Sequence, residues 1–220
     1  MPETNWFTEV KGDILDRFSL YLNGAYRSLD SNPPDDFYLV HTISGDNAQG
    51  AGFARLLNMR YKFREALCAD LAESFPGFGT DNWMFDKNQG DFFRVTRDRK
   101  FQRMRFAGSI GSIYETHRAP HILGLVTKEH YYDKPSLDDM RVALKALHDY
   151  FYNKYYLFDD DTALTTEIMM PHIGCGLDRL KWDDVKQIIS EELLDLAESG
   201  WIKVVAVEYP KYWEKGLVQW

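Results

Sequence analysis

The chain has 220 residues, 45% of them hydrophobic and 15% aromatic, which supplies one well-cored domain and argues against disorder. Its 26 basic and 34 acidic residues leave a formal charge of −8, which opposes generalised nucleic-acid binding and requires that any anionic ligand be held locally, by backbone amides. No apolar run reaches the length of a membrane span, and Met1–Trp6 lacks the basic start and apolar core of a secretory signal. The two cysteines, Cys68 and Cys175, lack metal-ligand spacing, so the expectations are a cytoplasmic protein with free thiols, no metal, no cofactor and no membrane contact.

Strand and helix patterns alternate along the chain, which predicts an α/β domain with helices covering a sheet. Trp6–Val10 reads as a first strand and Phe37–Ile43 as a second, after the turn-rich stretch Ser31-Asn32-Pro33-Pro34-Asp35-Asp36. Phe53–Phe75 is helical, in two pieces. Between about Lys100 and Ala119 the alternation of Met104, Phe106 and Ile110 with Arg103 and Arg105 predicts an added hairpin. Ile122–Thr127 is a nearly continuous apolar run, as expected of a strand buried on both faces. Ser136 with Asp139 marks a helix start, and Leu137, Met140, Leu144, Leu147 and Phe151 follow at helical spacing. Leu164–Met170 reads as a strand, Trp182 to Ala197 as a helix and Ile202–Val207 as the last strand. The aromatic tail 209–220 is expected to pack back on the body of the domain.

Two glycine loops stand where strands meet helices: Gly50-Ala51-Gly52 after the second strand, and Gly174-Cys175-Gly176 after Leu164–Met170. Closely spaced glycines let the backbone turn sharply and present amides to an anion, and the positive end of a following helix adds to this. One such loop reads equally as a tight connection. Two of them suggest a ligand with two phosphates.

The stretch Pro171-His172-Ile173-Gly174-Cys175-Gly176-Leu177-Asp178-Arg179-Leu180 resembles the signature of the macrodomain superfamily, specifically its terminal ADP-ribose glycohydrolase branch, with histidine where arginine is usual. The likeness extends, in the family's order, through Val10-Lys11-Gly12-Asp13, His41-Thr42-Ile43-Ser44-Gly45-Asp46, Gly50-Ala51-Gly52-Phe53-Ala54 and Val126-Thr127-Lys128. It implies a single macrodomain over residues 1–220, a three-layer α/β/α sandwich around a mixed sheet, with a family-atypical insertion at about 100–119. It further implies that Asp13 accepts from the adenine amino group and that the neighbouring Ile14 amide contacts the ring. Gly50, Ala51 and Gly52 would approach one phosphate, and Gly174, Cys175, Gly176 and Leu177 the other phosphate and the distal ribose, with Ser44 beside that ribose.

By the same resemblance, Lys128 is the nucleophile on the distal ribose and Asp178 assists it. Without the resemblance, Lys128 reads as an exposed lysine, Asp178 as a helix cap, Asp13 as a turn or cap residue and Ser44 as a turn former. Cys175 reads as a small structural cysteine and His41 as a hydrogen-bonded core imidazole. The implied function is hydrolysis of ADP-ribose from a modified protein, at acidic side chains, or from nucleic acid. The alternatives are a reader that binds ADP-ribose without catalysis and a hydrolase of ADP-ribose 1″-phosphate or O-acetyl-ADP-ribose. Basic and aromatic residues interleave over 94–105 (Arg94, Arg97, Arg99, Lys100, Phe101, Arg103, Arg105), a pattern that suits either a single-strand nucleic-acid platform or a solvated charged face.

Overall fold

Strand β1 (Phe7–Lys11) pairs in parallel with β9 (Ile202–Glu208), Phe7 opposite Val204 and Lys11 opposite Glu208. β9 pairs in parallel with β8 (Thr166–Pro171), and β8 with the first residues of β2 (Asp36–Ser44), Asp36 opposite Thr166. The structure is a computed structural model that describes residues 6–23, 36–45, 49–74, 83–86, 91–95, 101–104, 109–157 and 165–208, with backbone alone for 68, 70–74, 157 and the strands between 83 and 104. The expectation for the tail 209–220 lies outside the described residues.

The remaining elements are α1 (Ile14–Leu22), α2 (Gly52–Tyr61), α3 (Phe63–Ser74), β3 (Trp83–Asp86), β4 (Asp91–Val95), β5 (Phe101–Met104), β6 (Ile113–Tyr114), β7 (Ile122–Lys128), α4 (Leu137–Leu157) and α5 (Trp182–Glu198). The main sheet is six-stranded in the order β1-β9-β8-β2-β7-β6, and antiparallel pairing of β6 with β7 makes it mixed. The chain divides into two compact units, Met1–Val40 with His148–Trp220, and His41–Leu147.

In the first unit every residue of β8 is buried, as in a parallel strand covered on both faces. Against the sheet lie the stripes Val185, Ile189, Leu193 and Leu196 of α5 and Ile14, Leu15, Phe18 and Tyr21 of α1, all buried. Helix α1 has no counterpart among the sequence expectations. It is short, and its start signal, Asp13, carries a ligand role in the family resemblance; its Oδ1 accepts from the amides of Leu15 (2.9 Å) and Asp16 (3.3 Å), an N-cap. Phe18 packs edge-on against Phe37 with centroids 5.9 Å apart.

In the second unit β7 is buried from Ile122 to Thr127. Gly124 is required there by packing: a Cβ would come within 2.9 Å of Ile43 Cδ1 and 3.2 Å of Phe63 Cε1. The helical stretch after the first glycine loop breaks into α2 and α3 at Lys62, a left-handed C-cap. Ser136 and Asp139 form the reciprocal capping box at the start of α4: the Ser136 amide donates to Asp139 Oδ2 (2.8 Å) and the Asp139 amide to Ser136 Oγ (3.1 Å).

The stretch 83–119 differs from the predicted hairpin. β3, β4 and β5 form a separate three-stranded antiparallel sheet, with Trp83 opposite Arg94 and Phe92 opposite Met104, while Ile113–Tyr114 joins the main sheet beside β7. Arg103 and Met104 of the alternating pattern thus lie in an antiparallel pair with β4, Ile113–Tyr114 belongs to the main sheet, and 105–108 lie outside the described residues. The nucleic-acid expectation for 94–105 concerns side chains that lie outside those described.

Candidate functional site

The sequence-derived site residues fall in both units. Asp13, Ile14, Gly174, Cys175, Gly176, Leu177 and Asp178 belong to the first; Ser44, Gly50, Ala51, Gly52 and Lys128 belong to the second.

In the first unit, parallel pairing sets the carboxyl ends of β1 and β8 at the same edge: Lys11 lies opposite Glu208, and Pro171 opposite Val207, on the shared neighbour β9. Ligands of open α/β sheets bind at such edges. Asp13 leaves β1 there. Its carboxylate is held by the two α1 amides on Oδ1. Ile14 is fully buried as a whole residue.

The loop after β8 is a built turn. The Cys175 amide donates to His172 O (3.2 Å), Arg179 to Gly176 O (3.3 Å) and Leu180 to Gly174 O (3.0 Å). Gly174 (φ 71°) and Arg179 (φ 64°) both adopt left-handed backbone, routine for glycine and strained for arginine. Among the described residues the amides of Gly174 and Gly176 have no protein acceptor. Gly176 is not at positive φ, and a Cβ built on it meets nothing within 4 Å. Neither a positive φ nor contact with a described residue demands glycine at 176, so the position has room for close approach by a ligand.

Helix α5 begins after Lys181, its N-cap, with no side-chain cap bond. Asp178 lies three residues before this N-cap position. Cys175 points inward: its Sγ donates to Ile173 O at 3.2 Å, and burial, with the Asp178 carboxylate adding to it, pushes the thiol up to about 11. The acid is weakened, so the thiolate is scarce below that pH and Cys175 is no nucleophile at neutrality. Relative to an ordinary thiol at 9.0, the shift removes about a hundredfold of thiolate at any pH well below both values. Iodoacetamide at pH 7.5 is therefore expected to label Cys175 at least about a hundredfold more slowly than a free cysteine peptide, as read by peptide mapping. Labelling at the free rate would show that the thiol is not held in this way.

In the second unit the Gly45 amide donates to Lys128 O at 2.8 Å, which joins the end of β2 to the end of β7 and sets Ser44, itself 5% exposed, beside the lysine's strand end. Lys128 is half-buried where the other β7 residues are buried. The first glycine loop leads into α2 through Gln49 (φ 41°) and Gly52 (φ 58°). Ala51, the N-cap, has no side-chain cap bond, and among the described residues the amides of Gly50 and Ala51 have no protein acceptor. The N-cap residues of α2 and α5 thus make no side-chain cap bond, whereas Asp13 caps α1. The first turn of α5 carries Asp183 and Asp184, while that of α2 carries no acid, so of the two it is the α2 terminus whose dipole favours an anion.

His41 corrects an expectation. It is 1% exposed, as foreseen, but neither ring nitrogen has a hydrogen-bond partner; the ring meets Phe63 and Phe53 edge-on, with centroids 5.2 and 6.2 Å away. Burial pushes its pKa down to about 3, and the Thr42 backbone beside it, outside hydrogen-bonding geometry, offsets little of this. The imidazole is neutral at ordinary pH and packs as an aromatic ring. The feature that sequence reasoning missed is His172, whose ring lies flat on Trp182 at 4.0 Å and 9°.

No family model matches the chain. It is 27% identical over 189 residues to ADP-ribose glycohydrolase OARD1 of Bos taurus, covering 86% of this chain and 85% of that protein. The protein of the same name from Homo sapiens is 25% identical over 190 residues, 86% of each chain. Among solved structures, the macrodomain of Mycobacterium tuberculosis DarG superposes with a TM-score of 0.51 at 18% identity, covering 92% of this chain and 97% of that one. That of Thermus aquaticus DarG gives 0.50 at 18% identity, over 93% and 98%. In fold the chain is similar to these macrodomains, and over most of its length its sequence resembles proteins named ADP-ribose glycohydrolase.

Proposed function

We propose that this protein binds ADP-ribose and hydrolyses it from a modified macromolecule. The observation that carries the reading is the loop after β8: a glycine at 176 that the protein's own packing does not need, beside amides without acceptors, in a chain of charge −8. Similarity over 86% of the chain to proteins named ADP-ribose glycohydrolase gives the anion its identity. In this reading Asp13 accepts from the adenine amino group and the Ile14 amide meets the ring. Gly50, Ala51 and Gly52 take one phosphate. Gly174, Cys175, Gly176 and Leu177 take the other phosphate and the distal ribose through their backbone, with Ser44 beside that ribose. Lys128 is the nucleophile and Asp178 its proton acceptor.

Gly176→Ala tests the binding half. Because the added methyl meets no protein atom, the melting temperature should stay at the wild-type value. The methyl would occupy the approach of the phosphate, so calorimetry should show ADP-ribose affinity lower by about tenfold or more. Unchanged affinity in a normally folded variant would remove this loop from the site. Mass spectrometry of glutamate-linked and DNA-linked ADP-ribose substrates tests the catalytic half. Release of free ADP-ribose separates a hydrolase from a reader, and ADP-ribose 1″-phosphate and O-acetyl-ADP-ribose in the same panel separate the small-molecule enzyme.

A further inference from the structure

His172 follows the last residue of β8, and Trp182 is the first residue of α5, so the two bracket the loop that carries Gly174 to Asp178. Their rings stack nearly parallel, with centroids 4.0 Å apart and an interplanar angle of 9°. Within the loop the Cys175 amide donates to His172 O and the Leu180 amide to Gly174 O, but among the described residues no backbone hydrogen bond runs from His172 across to Trp182. The ring pair spans that gap and joins the loop's two ends. It is braced from β1. Glu9 accepts from Trp182 Nε1 and from Lys186 Nζ (3.2 Å), and Phe7 tilts over Trp182 at 6.5 Å. His172 Nε2 lies 3.9 Å from Glu9 Oε1, beyond hydrogen-bond distance, and has no hydrogen-bond partner among the described residues.

We propose that His172 and Trp182 form an aromatic clasp that holds the glycine loop at the spacing its ligand requires, which makes His172 a positioning residue for ADP-ribose; this rests on the reading of that loop as a phosphate site. Stacking, rather than a polar contact, performs the task. The ring makes its close contact through its face and leaves Nε2 unbonded. Burial lowers the imidazole's pKa, with Glu9 and Glu208 pulling it up and Lys186 down, so the ring is neutral at neutral pH. A neutral ring stacked on indole is an aromatic pair, and its loss frees both loop ends at once.

The test compares wild type with His172→Ala and His172→Phe, using two readouts: hydrogen exchange of the Gly174 and Gly176 amides in the free protein, and ADP-ribose affinity by calorimetry. The alanine variant should exchange faster at both glycines and bind about 3- to 10-fold more weakly, the scale of one aromatic pair. Phenylalanine, which stacks but has no ring nitrogen, should restore both. Wild-type exchange or wild-type affinity in a folded alanine variant overturns the proposal. Failure of phenylalanine to restore them overturns it too, because the nitrogen would then be the working part. If wild type itself binds no ADP-ribose, the functional reading falls, while the exchange comparison still decides whether the clasp holds the loop.

Discussion

Lys128→Ala is expected to retain ADP-ribose binding and to lose turnover by about 10⁴-fold or more, since deletion of a covalent nucleophile in other enzymes approaches roughly 10⁶. In the proposed step the amine's lone pair forms a C–N bond to C1″ of the distal ribose, and the C1″–O pair leaves with the modified side chain. That displacement leaves a ribosylamine whose extra N–H proton passes to Asp178. The nitrogen lone pair then expels the ring oxygen, which takes up a proton as C1″–O4″ breaks, to give a Schiff base. Water hydrolyses it, returning the amine and freeing ADP-ribose. The lone pair must be available, and a free lysine with a pKa of about 10.4 is almost wholly protonated at pH 7. A proton acceptor is therefore part of the mechanism. Lys128→Arg should fail as completely as alanine, because guanidinium does not give up its proton at working pH. Borohydride added during turnover should trap the sugar on Lys128, as read by peptide mapping. An adduct on another lysine, or full activity in Lys128→Arg, would sink the covalent route.

Asp178→Ala and Asp178→Asn should each lower turnover by roughly 10²–10⁴, the usual contribution of a positioned proton-transfer group, with ADP-ribose affinity largely kept. If Asp178 and Lys128 act in one step, the double variant should be no slower than Lys128→Ala alone, because residues that act as a unit are not additive. A second readout needs no substrate. The Asp178 carboxylate contributes to raising the Cys175 thiol, so Asp178→Asn should lower that pKa and make Cys175 easier to alkylate. Wild-type turnover in both single variants would remove Asp178 from the chemistry. Unchanged Cys175 reactivity would separate the carboxylate from the loop.

Local and periodic features were legible in the amino-acid order. The buried run at Ile122, the Ser136–Asp139 box, the α5 stripe and both glycine loops at strand ends depend on residues a few positions apart, so spacing alone carries them. The roles of Asp13, Lys128 and Asp178 came from the family resemblance, because one carboxylate or amine has many uses and no period marks it. What only the tertiary structure decided depends on partners distant in sequence, or on burial. Helix α1 owes its place to burial of Phe18 against Phe37. The strand at 101–104 was settled by pairing with 91–95. The N-cap of α5 falls on Lys181, three residues after Asp178. The resistance of the Cys175 thiol to ionisation comes from desolvation, which is no property of sequence neighbours. The ring of His172 found Trp182 because the chain between them turns back on itself at Gly174 and Arg179, where left-handed backbone reverses its direction.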